Sequence, residues 1–451
     1  MAREVRTVLD LKPYRDALAL PGLRPLLLVA ILARVPVAAT AVVMTLHVLD
    51  LGHGYFAAGL VGAAMTAGSA LGAPLLGRLA DGRGLRPMLL LTTAVSALFW
   101  GTAPVLPYPV LLGAAFVGGL LTLPVFSVVR QSIAALVPPP QRRQAYALDS
   151  MSVELSFMIG PAGAVALATS ASPTLTMYAV GGGIVLAGLT LLVLNPPTRA
   201  RDEETTPAQP LPRRQWLTPR LIGLLAGGAA STLVIAGSDV AVVAALRDAG
   251  QVDWTGVVLA LWASYSLVGG FTYGALSRPV PSLALTAMLG LVIVPVGLGS
   301  GEWWLLALVL LPSGALTAPT VAATADAVSR LVPASVRGEA MGLHASAMVV
   351  GLALGAPLAG AVIDASAPAW GFAATGLLGA LIALAVLPTE LRHRRSDAPA
   401  TAAAITPTAA TTPDSAPRGR SPRRAGFRRR ARGPIHRGRP RQPGGSFWNP
   451  E

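Results

Sequence analysis

The chain has 451 residues, of which 53% are hydrophobic and 12% are charged, whereas about 25% of the residues in an ordinary soluble domain carry a charge. So much apolar surface cannot be buried in one aqueous core, which excludes an ordinary soluble enzyme or binding module. The net charge of +14 is typical of a nucleic-acid-binding protein, but fourteen arginines against three acids lie in residues 392–451 alone, outside the apolar part. The absence of cysteine excludes disulfides and thiolate metal sites.

Twelve apolar runs are long enough to cross a bilayer, since about 20 apolar residues span a hydrocarbon core roughly 30 Å thick. In lipid every backbone polar group needs an internal partner, and these runs lack the alternation of barrel strands, so we expect helices. The predicted spans are residues 25–49, 55–79, 87–105, 109–136, 145–170, 174–194, 219–246, 252–276, 280–300, 303–332, 338–364 and 368–388. The sequence therefore predicts an all-α integral membrane protein with twelve transmembrane helices.

Cations indicate the orientation of these helices. Arginine recurs in every second loop, beginning with Arg3 before span 1 and Arg78 after span 2, whereas the opposite loops hold one cation, Arg247. An excess of Lys and Arg marks cytoplasmic loops, so we expect both termini in the cytoplasm. The first apolar run has no small-residue cleavage site and is expected to remain as a helix. The chain is thus predicted to be a multi-pass protein of the cell (plasma or inner) membrane.

The predicted spans fall into two groups of six, separated by a stretch rich in Pro, Thr and charge that is typical of a flexible linker. Beyond the last span the composition changes again, to an Ala/Thr/Pro-rich and then Arg-rich tail that we expect to be disordered. The predicted organisation is a cytoplasmic segment 1–24, a six-helix bundle 25–194, a linker 195–218, a second six-helix bundle 219–388 and a basic cytoplasmic tail 389–451.

The two groups of spans resemble each other. The segment LVPPPQRRQAYAL (136–148) aligns with LVPASVRGEAMGL (331–343) at an offset of 195 residues, and at the same offset Gly160 meets Gly355. The identities cluster at a helix end, a turn and a helix start. This pattern predicts two parallel repeats related by an axis along the membrane normal.

Between spans 2 and 3 lies the segment GRLADGRGLRP. Glycine at positions 77 and 84 allows tight turns and close helix approach, and Asp81 can accept hydrogen bonds from the N-terminus of a neighbouring helix. The segment resembles the signature G-x-L-a-D-r-x-G-r-k of the major facilitator superfamily, and the resemblance extends over roughly residues 20–390. It implies a transporter in which this loop latches the two halves together on the cytoplasmic side. The matching positions are Gly77, Leu79, Asp81, Gly84 and Arg86.

Two parts of the family pattern are missing. The corresponding loop of the second half, GALSRPVPSL (274–283), keeps Gly274 and Arg278 but has no acid. The family's fourth-helix arginine, four residues before a glycine, is also absent, because Ala114 stands four residues before Gly118. We therefore expect a one-sided gate.

Span 5 contains Gly160, Pro161 and Gly163, which resemble part of the glycine-proline signature in helix five of the family's antiporters. Proline removes one backbone hydrogen bond and bends a helix, while glycines let a facing helix pack closely. The resemblance implies export rather than import.

Charges within spans are the best candidates for a site, because each costs about 2.5–3.5 kcal/mol at the centre of an inserted helix. Arg34 in span 1 and Glu154 in span 5 each lie roughly 13–14 Å from the inner helix end, near the midplane. We predict that this pair binds substrate or a proton, with Asp326 as a second proton-binding carboxylate. The alternative is that Arg34 and Glu154 form a structural ion pair that locks two helices.

A second set of polar residues lies nearer the cytoplasmic helix ends, about 7–9 Å inside them. Arg130 and Asp149 belong to the first half, and Asp326 and His344 to the second. Two such pairs that face one another would form an inner gate, in which His344 could titrate near neutral pH. The alternative for His344 is a hydrogen-bonded packing role. Asp239, near the outer end of span 7, is interpreted as interfacial.

Other sources of energy are excluded by the motifs. The only lysine, Lys12, lies outside any glycine-rich loop, so no phosphate-binding G-x-x-x-x-G-K-[ST] is present, and neither is H-E-x-x-H or a nucleophile elbow. We expect no enzymatic activity, no bound cofactor and no metal site.

The resemblance is strongest to bacterial export-type members, arabinose- or drug-efflux-like, and implies that a monomer exports a small molecule in exchange for protons. The alternatives are an uncoupled or import-type facilitator and a transporter-like membrane sensor. The basic tail is expected to bind anionic lipid, because about 1 kcal/mol is gained per cation near such a surface. Nucleic acid is disfavoured as its partner, since few aromatic side chains interleave the cations.

Overall fold

The computed structural model describes residues 12–199, 211–276 and 280–405, and within these ranges the chain forms helices and short turns but no strand. Residues 1–11, 200–210, 277–279 and 406–451 lie outside the described residues. The middle of the expected linker, Arg278 and most of the basic tail therefore lie outside them as well. The spans form one compact unit that ends at Pro399, and Ala400–Glu451 make up a second unit.

Among the described residues, eleven helical stretches are long and apolar enough to cross a membrane. Two further helices, Trp303–Val309 and Leu311–Leu331, which are bent by 44°, together form span 10, so that twelve spans are found as the sequence predicts. The bounds of all these spans agree with the predicted ones to within six residues. The other spans, in order, are Leu23–Asp50, Ala57–Arg83, Leu85–Val105, Tyr108–Leu136, Pro139–Ser170, Pro173–Leu194, Pro219–Asp248, Val252–Ala275, Ser282–Gly299, Ala334–Ala365 and Pro368–Pro388.

Proline accompanies the breaks inside spans. Span 4 consists of the helices Tyr108–Leu120 and Val125–Leu136, and Pro124 directly precedes the second of them. In span 10 a proline lies in the first turn of Leu311–Leu331. A proline has no N–H to donate to the preceding turn but fits the first turn of a new helix, so the chain restarts a helix at both places.

The internal repeat is visible in the helix bounds. The long helices of span 5, Arg142–Ser170, and of span 11, Arg337–Ala365, both contain 29 residues and begin 195 residues apart. In span 5, Gly160 lies against the backbone of span 1, and in span 11, Gly355 lies against the backbone of span 7. The two halves therefore pack their central helices in the same way.

The arginine that both repeats share at the start of their fifth span caps the C-terminus of the preceding helix in the first half. Arg142 is buried, and its guanidinium donates to the carbonyls of Ala134, at 2.6 Å, and Val137, at 2.9 Å. These carbonyls belong to the last turn of span 4, where a cation satisfies groups that no helical N–H reaches. Arg337 occupies the equivalent position in the second half and is also buried.

The halves meet near one end of the molecule, which we call the linker face and define by Arg83, Leu194 and Arg337. Spans 2 and 11 pack together there, as do spans 5 and 8. Hydrogen bonds connect the halves at Glu154 and between Glu154 and the linker face. The other end, the opposite face, is defined by Asp50 and Ser170.

Candidate functional site

Asp81 joins the two halves at the linker face. Its Oδ1 accepts a hydrogen bond from the backbone N–H of Gly338, at 2.9 Å, and its Oδ2 accepts one from Glu339, at 2.8 Å. These N–H groups form the first turn of span 11, where the helix dipole favours an anion. Gln131 in span 4 supports the carboxylate with a third hydrogen bond of 3.1 Å. The structure thus places Asp81 at a helix N-terminus, as the sequence indicates.

The glycines of the same segment let spans 2 and 11 touch. A Cβ on Gly77 would overlap the carbonyl of Gly338, and a Cβ on Gly338 would lie 2.6 Å from Oδ1 of Asp81. Gly84 ends span 2 with φ 86°, a left-handed value that side chains disfavour. Arg86 lies at the start of span 3 and its side chain is exposed.

Arg34 does not pair with Glu154, so that prediction is wrong. Arg34 is fully buried and donates to Oδ1 of Asp149, at 2.6 Å, and to the hydroxyl of Ser152, at 2.7 Å. The reason is that Asp149 and Glu154 point in different directions around the axis of span 5. Residues 149 and 154 differ by five positions, which at 3.6 residues per turn separates them by about 140° around the helix. Asp149 therefore faces span 1, and Glu154 faces span 8.

A second arginine completes a buried cluster around Asp149. Arg130 donates through Nε to Oδ2 of Asp149, at 3.2 Å, and its terminal nitrogen lies 3.5 Å from the sulfur of Met348 in span 11. The guanidinium of Arg34 lies 5.0 Å from the ring centre of Phe126, within the range of a cation–π contact. Two cations thus share one carboxylate inside the first half.

The second-half residues of the predicted gate, Asp326 and His344, make hydrogen bonds within their own half. Asp326 binds Arg330 through both oxygens, at 2.8 and 2.9 Å, and Arg330 also donates to the Pro139 carbonyl of the first half, at 2.6 Å. His344 is fully buried, and its Nε2 lies 3.2 Å from the hydroxyl of Thr324 in span 10. Arg130 interacts electrostatically with His344 across the halves, and Arg330 and Met348 also contact the first half, so the inner gate stays a prediction.

Glu154 contacts the second half. The hydroxyl of Ser266 in span 8 donates to Oε1 of Glu154, at 2.9 Å, and accepts the backbone N–H of Ala318 in span 10, at 3.1 Å. Asp239 in span 7 has an exposed side chain and interacts electrostatically with Glu154. The interpretation of Asp239 as merely interfacial therefore missed a second carboxylate near the first. Both halves contribute an acid to this place.

The glycine-proline segment of span 5 is partly as expected. The helix runs without a break through Pro161. A Cβ on Gly160 would overlap the Val35 carbonyl of span 1, so Gly160 does allow close packing. A Cβ on Gly163 would meet no atom within 4 Å, and the expected close contact there is wrong. Gly163 instead lines a groove of about 380 Å³ between spans 1, 5 and 6, which has no charged lining residue.

One buried carboxylate has no counterpart in the predictions. Glu390, at the end of span 12, is 2% exposed. Its oxygens accept the backbone N–H groups of Ser282, at 3.1 Å, and Leu283, at 3.0 Å, at the start of span 9. Glu390 thus binds the N-terminus of a helix within the second half, as Asp81 binds the N-terminus of a helix across the two halves. No sequence motif marks Glu390, which follows the last apolar residues of its span.

The profile described as the Major Facilitator Superfamily matches residues 26–299 and 279–434 of this chain. No curated protein sequence matches it. The fold is similar to that of the human organic anion transporter MFSD10 (TETRAN), with 18% identity, a TM-score of 0.65 and coverage of 81% of this chain and 100% of that chain. For a bacterial homologue of the iron transporter ferroportin in the outward-facing state, the identity is 16% and the TM-score 0.65, and the match covers 82% of this chain and 100% of that chain. For a point variant of the E. coli fucose:proton symporter FucP, the identity is 15% and the TM-score 0.59, and the match covers 81% of this chain and 97% of that chain.

Proposed function

The chain belongs to the major facilitator superfamily and is a multi-pass membrane transporter rather than an enzyme, and we propose that it exports a small molecule in exchange for protons. The observation that carries this proposal is the position of Glu154. This carboxylate of the first half is bound by Ser266 of the second half and lies close enough to Asp239 to interact with it. Because Glu154 of the first half contacts residues of the second, its protonation state can change the energy of moving one half against the other.

The proposed cycle starts from the arrangement described here, in which the halves are held together at the linker face. The basic loops support a cytoplasmic linker face and cytoplasmic termini, in a plasma or inner membrane. The bundles 25–194 and 219–388 would rock as bodies about the centre. When the opposite face closes, Asp81 must release the first turn of span 11, and the linker face opens to substrate from the cytoplasm.

Proton binding favours the closing step. When Glu154 is ionised, it and Asp239 repel each other across the space between the halves, and the repulsion grows as water leaves. A proton that enters from the opposite face and binds a Glu154 oxygen removes this repulsion, so the halves can close on that side. After the linker face opens, the proton leaves Glu154 to the cytoplasm, and substrate takes its place. Each turnover then moves one proton inward and one substrate outward.

The test is proton movement in proteoliposomes. A panel of radiolabelled sugars, amino acids, organic anions and cationic dyes first identifies a transported compound. A gradient of that compound should then drive proton movement, which a trapped pH dye reports. Glu154→Gln, which keeps the size of the side chain, should abolish this proton movement. Glu302→Gln is the matched control, because Glu302 is bound by Gln251 in an exposed loop at the opposite face.

The results separate the alternatives. Proton movement that survives in Glu154→Gln contradicts the coupling role of this residue, and transport without proton movement in the wild type indicates an uncoupled facilitator. Undiminished export by Asp81→Asn argues against transport by rocking of the halves. We further propose that the protein acts as a monomer and that its tail binds anionic lipid. A chain that lacks residues 392–451 should then transport normally, and it should bind anionic vesicles less.

A further inference from the structure

In the second half, the place that corresponds to the Asp81 latch of the first half is occupied by a short N-terminal helix. The second-half segment GALSRPVPSL (274–283) lacks the acid that the first-half segment GRLADGRGLRP carries as Asp81. Next to the linker end of span 8 lies a short N-terminal helix, Lys12–Leu18, which packs against spans 5 and 8. Only Ala19 to Gly22 connect this helix to span 1, and Arg24 ties it down by donating to the Leu18 carbonyl, at 2.6 Å. The N-terminal helix therefore belongs to the first half but contacts the second.

Tyr14 makes that contact. Its side chain is 5% exposed, and its ring stacks on Phe271 of span 8 with ring centres 4.9 Å apart and planes inclined by 6°. Its hydroxyl bonds to the carbonyl of Phe271 and lies 3.3 Å from that of Gly270. Burial raises the pKa of Tyr14 to about 12, so the phenol remains a hydrogen-bond donor at neutral pH. Both bonds cross from the first half to the second.

The glycines of the two halves show what Tyr14 replaces. Gly77 in the first-half motif lies against the backbone of Gly338, so that a Cβ there would overlap span 11. Gly274, the glycine that the second-half loop retains, lies against Tyr14 instead, and a Cβ there would overlap the phenol hydroxyl. The space that one half uses for helix contact is thus filled in the other half by a side chain from the N-terminal helix.

We propose that the N-terminal helix is a strap that holds span 8 to the first half at the linker face and that Tyr14 is its gate residue. The strap takes the place of the missing second latch, so the gate is two-sided although the sequence motif is one-sided. Arg143 of span 5 assists it by bonding to the Leu276 carbonyl and lying 6.0 Å from the ring centre of Tyr273. This inference rests on the alternating access proposed above, because a strap matters only if the linker face opens.

The experiment measures opening at the linker face without needing a substrate. The chain has no cysteine, so Ser346→Cys provides a single reporter, and every variant is compared with the Ser346→Cys protein itself. The Ser346 hydroxyl donates to the Ala70 carbonyl of span 2, at 2.6 Å, inside the closed interface. Because Ser346 is half-buried in this arrangement, a maleimide in proteoliposomes should react with the cysteine slowly while the linker face is closed and faster when it opens. The quantity compared is the rate of alkylation.

Tyr14→Phe keeps the ring stack and removes the hydroxyl, so it should raise the alkylation rate about twofold to tenfold, the factor expected for one lost hydrogen bond. Tyr14→Ala should raise the rate further. Gly274→Ala should also raise it in the wild type but should add nothing to Tyr14→Ala. Tyr108→Phe is the matched control, because the Tyr108 hydroxyl bonds to the Ala57 carbonyl within the first half, at 3.2 Å, and its loss should leave the rate unchanged.

The outcomes distinguish the strap from the transport cycle. If Asp81→Asn accelerates alkylation but Tyr14→Phe does not, the strap is overturned and rocking stands. If neither variant changes the rate, rocking itself is overturned, and the strap with it. A Tyr14→Ala protein that fails to fold leaves the decision with Tyr14→Phe, whose ring still packs on Phe271. An equal rise in Tyr108→Phe and Tyr14→Phe would also overturn the strap.

Discussion

Asp149 holds Arg34 at 2.6 Å in a place that solvent does not reach, since both side chains have 0% exposure. The two residues belong to spans 1 and 5 of the same half. Their bond therefore does not have to break when one half moves against the other. This favours the structural alternative for Arg34, an ion pair that locks two helices of one bundle, over a role in binding substrate.

The first prediction concerns the stability of this pair. Asp149→Asn removes the carboxylate charge that binds both Arg34 and Arg130. Breaking a buried pair in this way costs about 3–5 kcal/mol, because a charge is left without compensation. Thermal unfolding in detergent should show a large loss. Asp364→Asn, at an exposed site in span 11, is the control, and equal melting of the two variants would contradict the structural role.

The second prediction concerns the acid of the latch. Asp81→Asn removes the charge that two backbone N–H groups of span 11 share, and a hydrogen bond to a charged group is worth about 1.5–3 kcal/mol. The equilibrium should shift towards an open linker face, with faster alkylation of Ser346→Cys and slower export. Asp248→Asn, at the exposed end of span 7, should change neither quantity. Wild-type alkylation in Asp81→Asn would show that the bonds do not hold the gate.

The third prediction uses two glycines of one helix. Gly77→Ala should separate spans 2 and 11, since a Cβ there would overlap the Gly338 carbonyl. A Cβ at Gly82 would meet no atom within 4 Å, so Gly82→Ala should behave as wild type. Alkylation of Ser346→Cys should rise in the first variant only. Equal rates would mean that close contact between these spans is not required for closure.

Much of the fold follows from the sequence, because its determinants are local or periodic. The length of the apolar runs predicts the spans, and the offset of 195 residues predicts the matching bounds of spans 5 and 11. Asp81 is also predictable, because a carboxylate in a glycine-rich segment between two spans can bind the N-terminus of a neighbouring helix. These features depend on neighbours along the chain or on a repeat.

The partners of buried charges are not predictable in the same way. Arg34 and Glu154 are predicted to pair because they lie at the same depth in the membrane. The angular position of a side chain around the helix axis decides which neighbouring helix it faces, and in span 5 it is Asp149 that faces Arg34. Glu390 and Tyr14 contact groups more than a hundred residues away, through backbone N–H and carbonyl groups that every residue type carries. Such contacts leave no pattern in the sequence.

The fourth prediction concerns the carboxylate that the sequence did not reveal. Glu390→Gln removes the charge at the start of span 9 and should destabilise the second half by about 1–3 kcal/mol. Thermal unfolding should show the loss, while alkylation of Ser346→Cys should stay at the wild-type rate, because the bonds to Ser282 and Leu283 lie within one half. Accelerated alkylation in this variant would mean that span 9 takes part in the gate.

The central claim is that the halves rock, and two spin-label distances test it most directly. One pair of labels lies at the linker face, at Gly82 and Gln215, and the other at the opposite face, at Ser170 and Asp253; all four positions are exposed. Going from wild type to Asp81→Asn, the distance at the linker face should lengthen while the distance at the opposite face shortens. Two distances that stay fixed, or that change in the same direction, would contradict alternating access by this chain.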